Sequence, residues 1–290
     1  MKDFEDYLQR RGLRPSTIYN LRIYVRRFLQ WFGNEGLTLE TCKYNDLLGL
    51  VRKYREAGYT PHNLNHHLRG IRHYYEYKKE KGEINYNPAL NLTVKGDYMK
   101  LPGDFLSHAQ MEQVYNEYEA QTVVQKRNKV ILGFLIYQGL SRDCLQRLEP
   151  ADLHLDRGTI FIRRNPTHQQ RMLPLAAGQI TILQEYLSKV RPLLLKLKGI
   201  ENESLIMTIG ESSLIKDSVR ELLNELQRKY PFLKSFRQIR NSVIYHWTEE
   251  KNIREAQYFA GHGSIYSTQR YKQANLDDLQ KQLDLFHPLK

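Results

Sequence analysis

The chain has 290 residues, of which 41% are apolar and 26% charged, a balance that excludes wholesale disorder, collagen and a membrane bundle and leaves room for two ordinary domains. No run of about 18 uncharged apolar residues is present, and the opening Met1–Asp6 alternates charge, so no secretory signal is expected there. Lys and Arg outnumber Asp and Glu by 44 to 32, a net +12 that points to a polyanionic partner, nucleic acid or an anionic membrane surface, against the plainer reading of a merely soluble basic protein.

The excess is shared: residues 1–100 hold 18 basic and 11 acidic side chains, the remainder 26 and 21. That is the pattern of two globular units facing one polyanion, not of a detachable basic tail. The two cysteines, Cys42 and Cys144, form no disulfide framework and fit a reducing cytoplasm. Cys/His spacing suggests no zinc site, so neither a metal nor another cofactor is expected.

The first ninety residues read as successive helices. Phe4, Tyr7 and Leu8 make one apolar stripe that Gly12 ends. Pro15-Ser16-Thr17 opens a second helix, continued by Ile18, Leu21, Tyr24, Val25, Phe28 and Trp31. A third spans roughly Tyr44 to Arg55. Thr60 and Pro61 then cap and start a fourth, which ends by Asn87-Pro88. Residues 91–106 lose periodicity and read as a linker. Ser107-x-x-Gln110 is a capping box that starts a second domain, 107–290.

In that domain a buried helix is expected over Asn128–Leu140. A short hairpin runs from Ile160 to Leu175 around the turn Asn165–Gln170. Helices follow near Gln179–Leu197, Ile215–Tyr230, Ile239–Glu250, Ile253–Ala260 and Asp277–Phe286. The fold class is therefore mainly α with a small β-hairpin or sheet, in two domains.

Three late features belong together. Arg237-Gln238-Ile239-Arg240 opens a helix, Gly261-His262 forms a small-residue turn, and Tyr271 lies nine residues past His262. Guanidinium, imidazole and phenol are what a phosphoryl transfer to a protein hydroxyl needs. The arginine forks onto phosphate oxygens, the histidine donates a hydrogen bond or relays a proton, and the phenol attacks, given positive charge to lower its barrier to ionisation.

On these residues the chain resembles the tyrosine site-specific recombinases, or phage-type integrases. The family's His-x-x-Arg reads Arg237-Gln238-Ile239-Arg240 here. Its Gly-His turn is Gly261-His262, and its Ser-Thr-x-x-Tyr is Ser267-Thr268-Gln269-Arg270-Tyr271. Gly139-Leu140 leads on to Leu148–Leu153 as in its first motif. The helix openings at Gly12–Ile18 and Tyr59–Asn65 and the ending Asn87-Pro88-Ala89 resemble its helical core-binding domain.

The resemblance implies strand cleavage by Tyr271 through a 3′-phosphotyrosyl bond, assisted by Arg240, His262, Arg237 and Arg142. It also implies double-stranded DNA as partner, a homo-tetramer on two sites, and other recombinase subunits as further partners. Leu279, Leu283 and Phe286 would form a terminal docking stripe.

Two positions depart from the pattern. Ser141 stands where the family's first arginine follows Gly-Leu, with Arg142 one step on, a 100° rotation along a helix. The hairpin has no lysine to protonate the leaving oxygen. Arg163, Arg164 and Arg171 do not readily release a proton, and His168 in the turn is open either as an acid or as a simply solvated side chain.

The candidate DNA contacts are Arg22, Arg26 and Arg27 on the second helix, then Asn63, Asn65, His66, Arg69 and Arg72 with His67 and His73 on the fourth, and Arg163 and Arg164 in the hairpin. Two functions remain open on the sequence: a working recombinase, or a DNA-binding accessory whose cleavage is weak or lost. A membrane-surface protein would need an amphipathic helix with a dedicated basic face, which is lacking.

Overall fold

The computed structural model describes residues 1–96, 102–199, 203–207 and 215–273. The chain divides into two compact units, Met1–Lys100 and Leu101–Lys290. No helix among the described residues is long and apolar enough to cross a membrane.

The first unit is four helices: α1 (Lys2–Arg10), α2 (Pro15–Glu35), α3 (Tyr44–Glu56) and α4 (Pro61–Glu80). Pro15 and Pro61 sit in the first turns of α2 and α4, where a missing amide hydrogen costs nothing. The Thr60 hydroxyl accepts from Asn63 N at 3.3 Å, as its capping position predicts. The α2 stripe of Ile18, Leu21, Val25, Phe28 and Trp31 is buried, and α2 packs against α4.

This core runs past residue 90. Leu92 and Val94 are buried in it, and Asn65 of α4 clasps the Val94 backbone from both sides, Nδ2 donating to Val94 O at 2.9 Å and Oδ1 accepting from Val94 N at 3.1 Å. The expected linker thus begins as packed chain, and residues 97–101 fall outside the described residues.

The second unit opens with α5 (His108–Asn116) and α6 (Val123–Ile136). Ser107 and Gln110 make both bonds of the predicted capping box, at 3.2 and 2.9 Å. Thr122 and Gln125 make a second one, so α6 begins five residues before the expected Asn128. It also ends earlier, at Ile136, because the backbone turns left-handed at Gly139 (φ 54°).

After the short α7 (Arg142–Gln146), β1 (Leu153–His154), β2 (Thr159–Ile162) and β3 (Arg171–Pro174) form a three-stranded antiparallel sheet in that order. Ile160 faces Leu173, and Ile162 faces Arg171. The hairpin was expected, whereas the two-residue β1 is too short to carry an alternation.

Next come α8 (Ala177–Glu185), a π-helical turn at Tyr186–Val190 and α9 (Arg191–Lys198). They form one nearly continuous helical run, widened just before Pro192, which has no amide hydrogen to give the preceding turn. Then follow α10 (Ile215–Lys229), α11 (Phe236–Glu250), α12 (Ile253–Ala260) and helical residues 265–273. The predicted terminal helix and its stripe Leu279, Leu283 and Phe286 lie outside the described residues.

Candidate active site

Helix α11 is the spine of the site. The Ser235 hydroxyl caps it by accepting from Gln238 N at 3.1 Å. Arg237, Arg240, Asn241 and Ile244 follow at helical spacing along one face. Arg240 is anchored by both arms of its fork. Nη1 donates to Gly139 O, and Nη2 donates to Ala260 O at 2.8 Å. One guanidinium thereby ties the corner after α6 to the end of α12.

Gly139 is required at that corner. Its φ is positive, and a Cβ there would stand 3.0 Å from a Val243 methyl. Burial pulls the Arg240 guanidinium down to about 10, with the charge of Arg171 acting in the same direction.

Helix α12 ends on Gly261 in the left-handed region (φ 69°), which aims His262 back at the site. The His262 ring is fixed by Nδ1, 2.9 Å from the buried Thr268 hydroxyl. Its plane lies 21° from that of Tyr271, with centroids 6.2 Å apart. Burial, reinforced by Arg240 and His168, lowers His262 to about 3, so the ring is neutral at physiological pH.

Tyr271 packs with Ile244 and Ala260, against Phe105. Its hydroxyl donates to Asn241 Oδ1 at 3.0 Å. Burial raises the phenol's pKa, while Arg240, Arg237 and Arg270 oppose that shift. Arg240, His262 and Tyr271 are therefore brought together as expected, but the phenol is held on its neighbour and only 9% exposed.

The other predicted residues divide. Ser141 is the N-cap of α7, its hydroxyl accepting from Cys144 N at 3.3 Å, so Arg142 is the first residue of that helix. It lines a cleft of about 250 Å³ with Arg237, Arg220, Ser235, Val219, Leu223 and Phe236. Arg142 thus joins Arg237, not Arg240.

Arg163 bridges Glu149 and Asp152, the latter at 2.9 Å, whereas Arg164 is exposed. In the first unit Arg26, Arg27, Asn63, His66 and Arg69 are exposed. Arg22 pairs with Glu5 at 2.8 Å.

Three residues in the expected DNA-facing group are engaged inside the unit instead. Asn65 holds Val94. Arg72 donates to Ala89 O and Leu92 O, each at 3.2 Å. His67 is buried among the rings of Tyr24, Tyr54 and Tyr59. The returning 87–94 segment thus claims Asn65 and Arg72, while aromatic rings of other elements enclose His67.

Sequence spacing overlooked two residues under the site, Arg171 and Cys144. Arg171 shares strand parity with Leu173 and Leu175, and that alternation is the signal that marks it as inward. It is 1% exposed, and Nη1 donates to Gln169 O at 3.2 Å. A Cβ on Gly261 would come within 2.3 Å of its Nη1, so the Gly261 turn is seated directly on this guanidinium.

The Cys144 sulfur accepts from the Ser141 hydroxyl at 3.3 Å and from Asn165 Nδ2 at 3.5 Å, with His168 Nδ1 at 3.9 Å. Burial pushes this thiol up, but the bonds from His168 and Ser141 and the charges of His168 and Arg171 outweigh it and bring it down to about 6.

A thiol whose native pKa lies below its unfolded value stabilises the fold fully above the unfolded pKa, and that contribution is lost as pH falls through the native one. Melting temperatures of the native chain and Cys144→Ser measured between about pH 9 and pH 5 should show the native chain losing its advantage as pH drops toward 6. Parallel curves would contradict the thiolate.

Comparison with known proteins follows the same architecture. The model of the phage integrase family matches residues 104–277, and that of the phage integrase N-terminal SAM-like domain matches residues 1–82. Tyrosine recombinase XerC of Oceanobacillus iheyensis is 23% identical, over 98% of this chain and 94% of the relative. XerA of Thermococcus kodakarensis is 26% identical, over 97% and 93%.

Among solved structures, XerH recombinase in a post-cleavage complex with a palindromic difH substrate aligns over 93% of this chain and 79% of its own, at TM-score 0.75 and 16% identity. The Tn1549 transposon integrase bound to circular intermediate DNA covers 95% and 97%, at TM-score 0.68 and 16% identity. With both family models matched in chain order over most of its length, the chain belongs to the phage integrase family.

Proposed function

We propose that this protein is a site-specific DNA recombinase that breaks and rejoins strands of double-stranded DNA through a 3′-phosphotyrosyl link on Tyr271. The observation that carries this reading is the convergence of Arg240, His262 and Tyr271 around the Gly139 and Gly261 corners.

Arg240 is a fixed positive charge beside the phenol, placed to offset the charge that builds on a phosphodiester's oxygens during attack. Neutral His262, held at Nδ1, offers Nε2 to a phosphate oxygen. Arg142 and Arg237, neither of which makes a hydrogen bond or ion pair within the described residues, extend the positive surface along the neighbouring cleft. Tyr271 must leave Asn241 before it attacks, so DNA binding is the event that exposes the nucleophile. The relatives' names and the DNA-bound structural neighbours support the same substrate class.

A covalent-adduct assay tests the proposal. Duplexes enriched on the immobilised protein from a random-sequence pool are nicked next to the cleavage point, so that the cut fragment diffuses away and traps the linked protein. An adduct on denaturing gels supports the recombinase. Specific binding with no adduct favours the accessory reading, for which Ser141 in the first arginine's place is the specific observation.

The grip of the first unit is tested separately. Arg26→Ala with Arg69→Ala should weaken binding to all sequences alike and flatten the salt dependence by about one contact per arginine. Asn65→Ala should leave the salt slope unchanged and cost about 1–3 kcal/mol of stability through the orphaned Val94 backbone. Filter binding across salt concentrations and thermal melts distinguish the two.

A further inference from the structure

We propose that His168, in the turn between β2 and β3, is the acid that protonates the leaving 5′ oxygen, with its imidazole held in working orientation by Thr167 and Cys144. This rests on the recombinase reading above and goes further by assigning the second proton-transfer group.

The chemistry requires a donor. As the Tyr271 oxygen bonds to phosphorus, the phosphorus–O5′ bond breaks and its electron pair goes to O5′, a poor leaving group unless a proton arrives with it. The phenolic proton passes to water. A second proton must come from a group beside the site, and most groups there fail for stated reasons.

Arg240 and Arg171 are guanidinia, which do not give up a proton in proteins. Arg163 is tied to two carboxylates. No lysine occurs in the hairpin, and the buried Lys129 is turned to the Tyr115 and Tyr118 carbonyls. His262 is kept neutral by burial and by the cations around it.

His168 has the geometry that the others lack. Asn165 Oδ1 accepts from Thr167 N, Thr167 Oγ1 and His168 N, at 2.9, 2.9 and 2.8 Å, which winds residues 165–168 into a fixed turn. Because the Thr167 hydroxyl hydrogen is spent on Asn165, Thr167 Oγ1 is left to accept from His168 Nδ1, 2.9 Å away. Nδ1 therefore carries a proton, with the Cys144 sulfur at 3.9 Å on the same side.

This fixes the tautomer. Nε2, which makes no hydrogen bond among the described residues, is the atom that exchanges protons. The turn is locked to the site by Gln169 N donating to Gly261 O at 2.9 Å, and His168 is close enough for its charge to weigh on His262. In rejoining, the 5′ hydroxyl returns its proton to Nε2 as its oxygen attacks phosphorus, and the phenolate is reprotonated from water.

The test uses two nicked duplexes identical except for the bridging atom, oxygen in one and sulfur in the other at the 5′ position. A thiolate leaves without protonation, so loss of an acid is invisible on the sulfur substrate. On the oxygen duplex, His168→Ala should form adduct about 10²–10³-fold more slowly than the native chain. On the sulfur duplex it should come within about threefold.

His168→Asn, which keeps an amide toward Thr167, should behave alike and guards against a folding artefact. Tyr271→Phe should be inactive on both. An equal loss on both duplexes, or no loss on either, overturns the assignment of His168. Absence of adduct from the native chain on both duplexes overturns the recombinase reading itself.

Discussion

Replacing Tyr271 with phenylalanine should abolish the covalent adduct while leaving the fold and DNA binding in place. The ring's packing with Ile244, Ala260 and Phe105 is purely apolar and survives the change. Only the hydrogen bond to Asn241 is lost, about 1 kcal/mol at most, since the Asn241 side chain is half-buried and can turn to water. On the proposed mechanism the change removes the attacking oxygen, so adduct formation should fall by at least about a thousandfold. Quantitative gels of trapped adduct, run beside a binding titration and a thermal melt, check all three parts. An adduct that persists in Tyr271→Phe would place the attacking oxygen on another residue.

The site was legible where chemistry follows local order. Arg240, His262 and Tyr271 each sit one fixed step from a punctuating signal: a helix opening at Ser235, a glycine at 261, and a serine-threonine pair at 267 and 268. Spacing along one chain segment survives folding because helices and tight turns convert it directly into direction. The same holds for the caps at Thr60 and Ser107, read correctly from four residues each.

What was not legible depends on partners distant in sequence. Asn65 and Arg72 have the composition of a DNA-facing helix, and nothing within α4 reveals that the 87–94 segment returns to claim them. The displaced first arginine is a similar case. Ser141 is spent as the cap of α7, and Arg142, the first residue of that helix, lines a cleft together with Arg237. Arg171 is intermediate: its strand parity marks it as inward, but whether an inward charge is tolerated depends on Cys144 and the Gly261 turn, which meet it from other elements.

Arg240→Lys is the substitution with the second largest expected effect, because the residue serves structure and charge at once. Its fork satisfies two carbonyls, Gly139 O and Ala260 O. An ammonium on a flexible stem reaches one of them and leaves the other unpaired, costing about 1–3 kcal/mol. The corners that it joins also orient His262 and the phenol, so lost rigidity becomes lost alignment. Charge suffers too. The burial and the neighbouring Arg171 that pull Arg240 down to about 10 would act on a lysine that starts near 10.4, leaving a fraction of it neutral in the physiological range. Adduct formation should drop about 10²–10³-fold, with a signature that simple misfolding lacks: the variant's deficit should shrink as the pH is lowered from about 9 to about 6, because acid restores the ammonium. A deficit that stays constant across that range would mean that Arg240 acts through its two carbonyls alone and contributes no charge to the reaction.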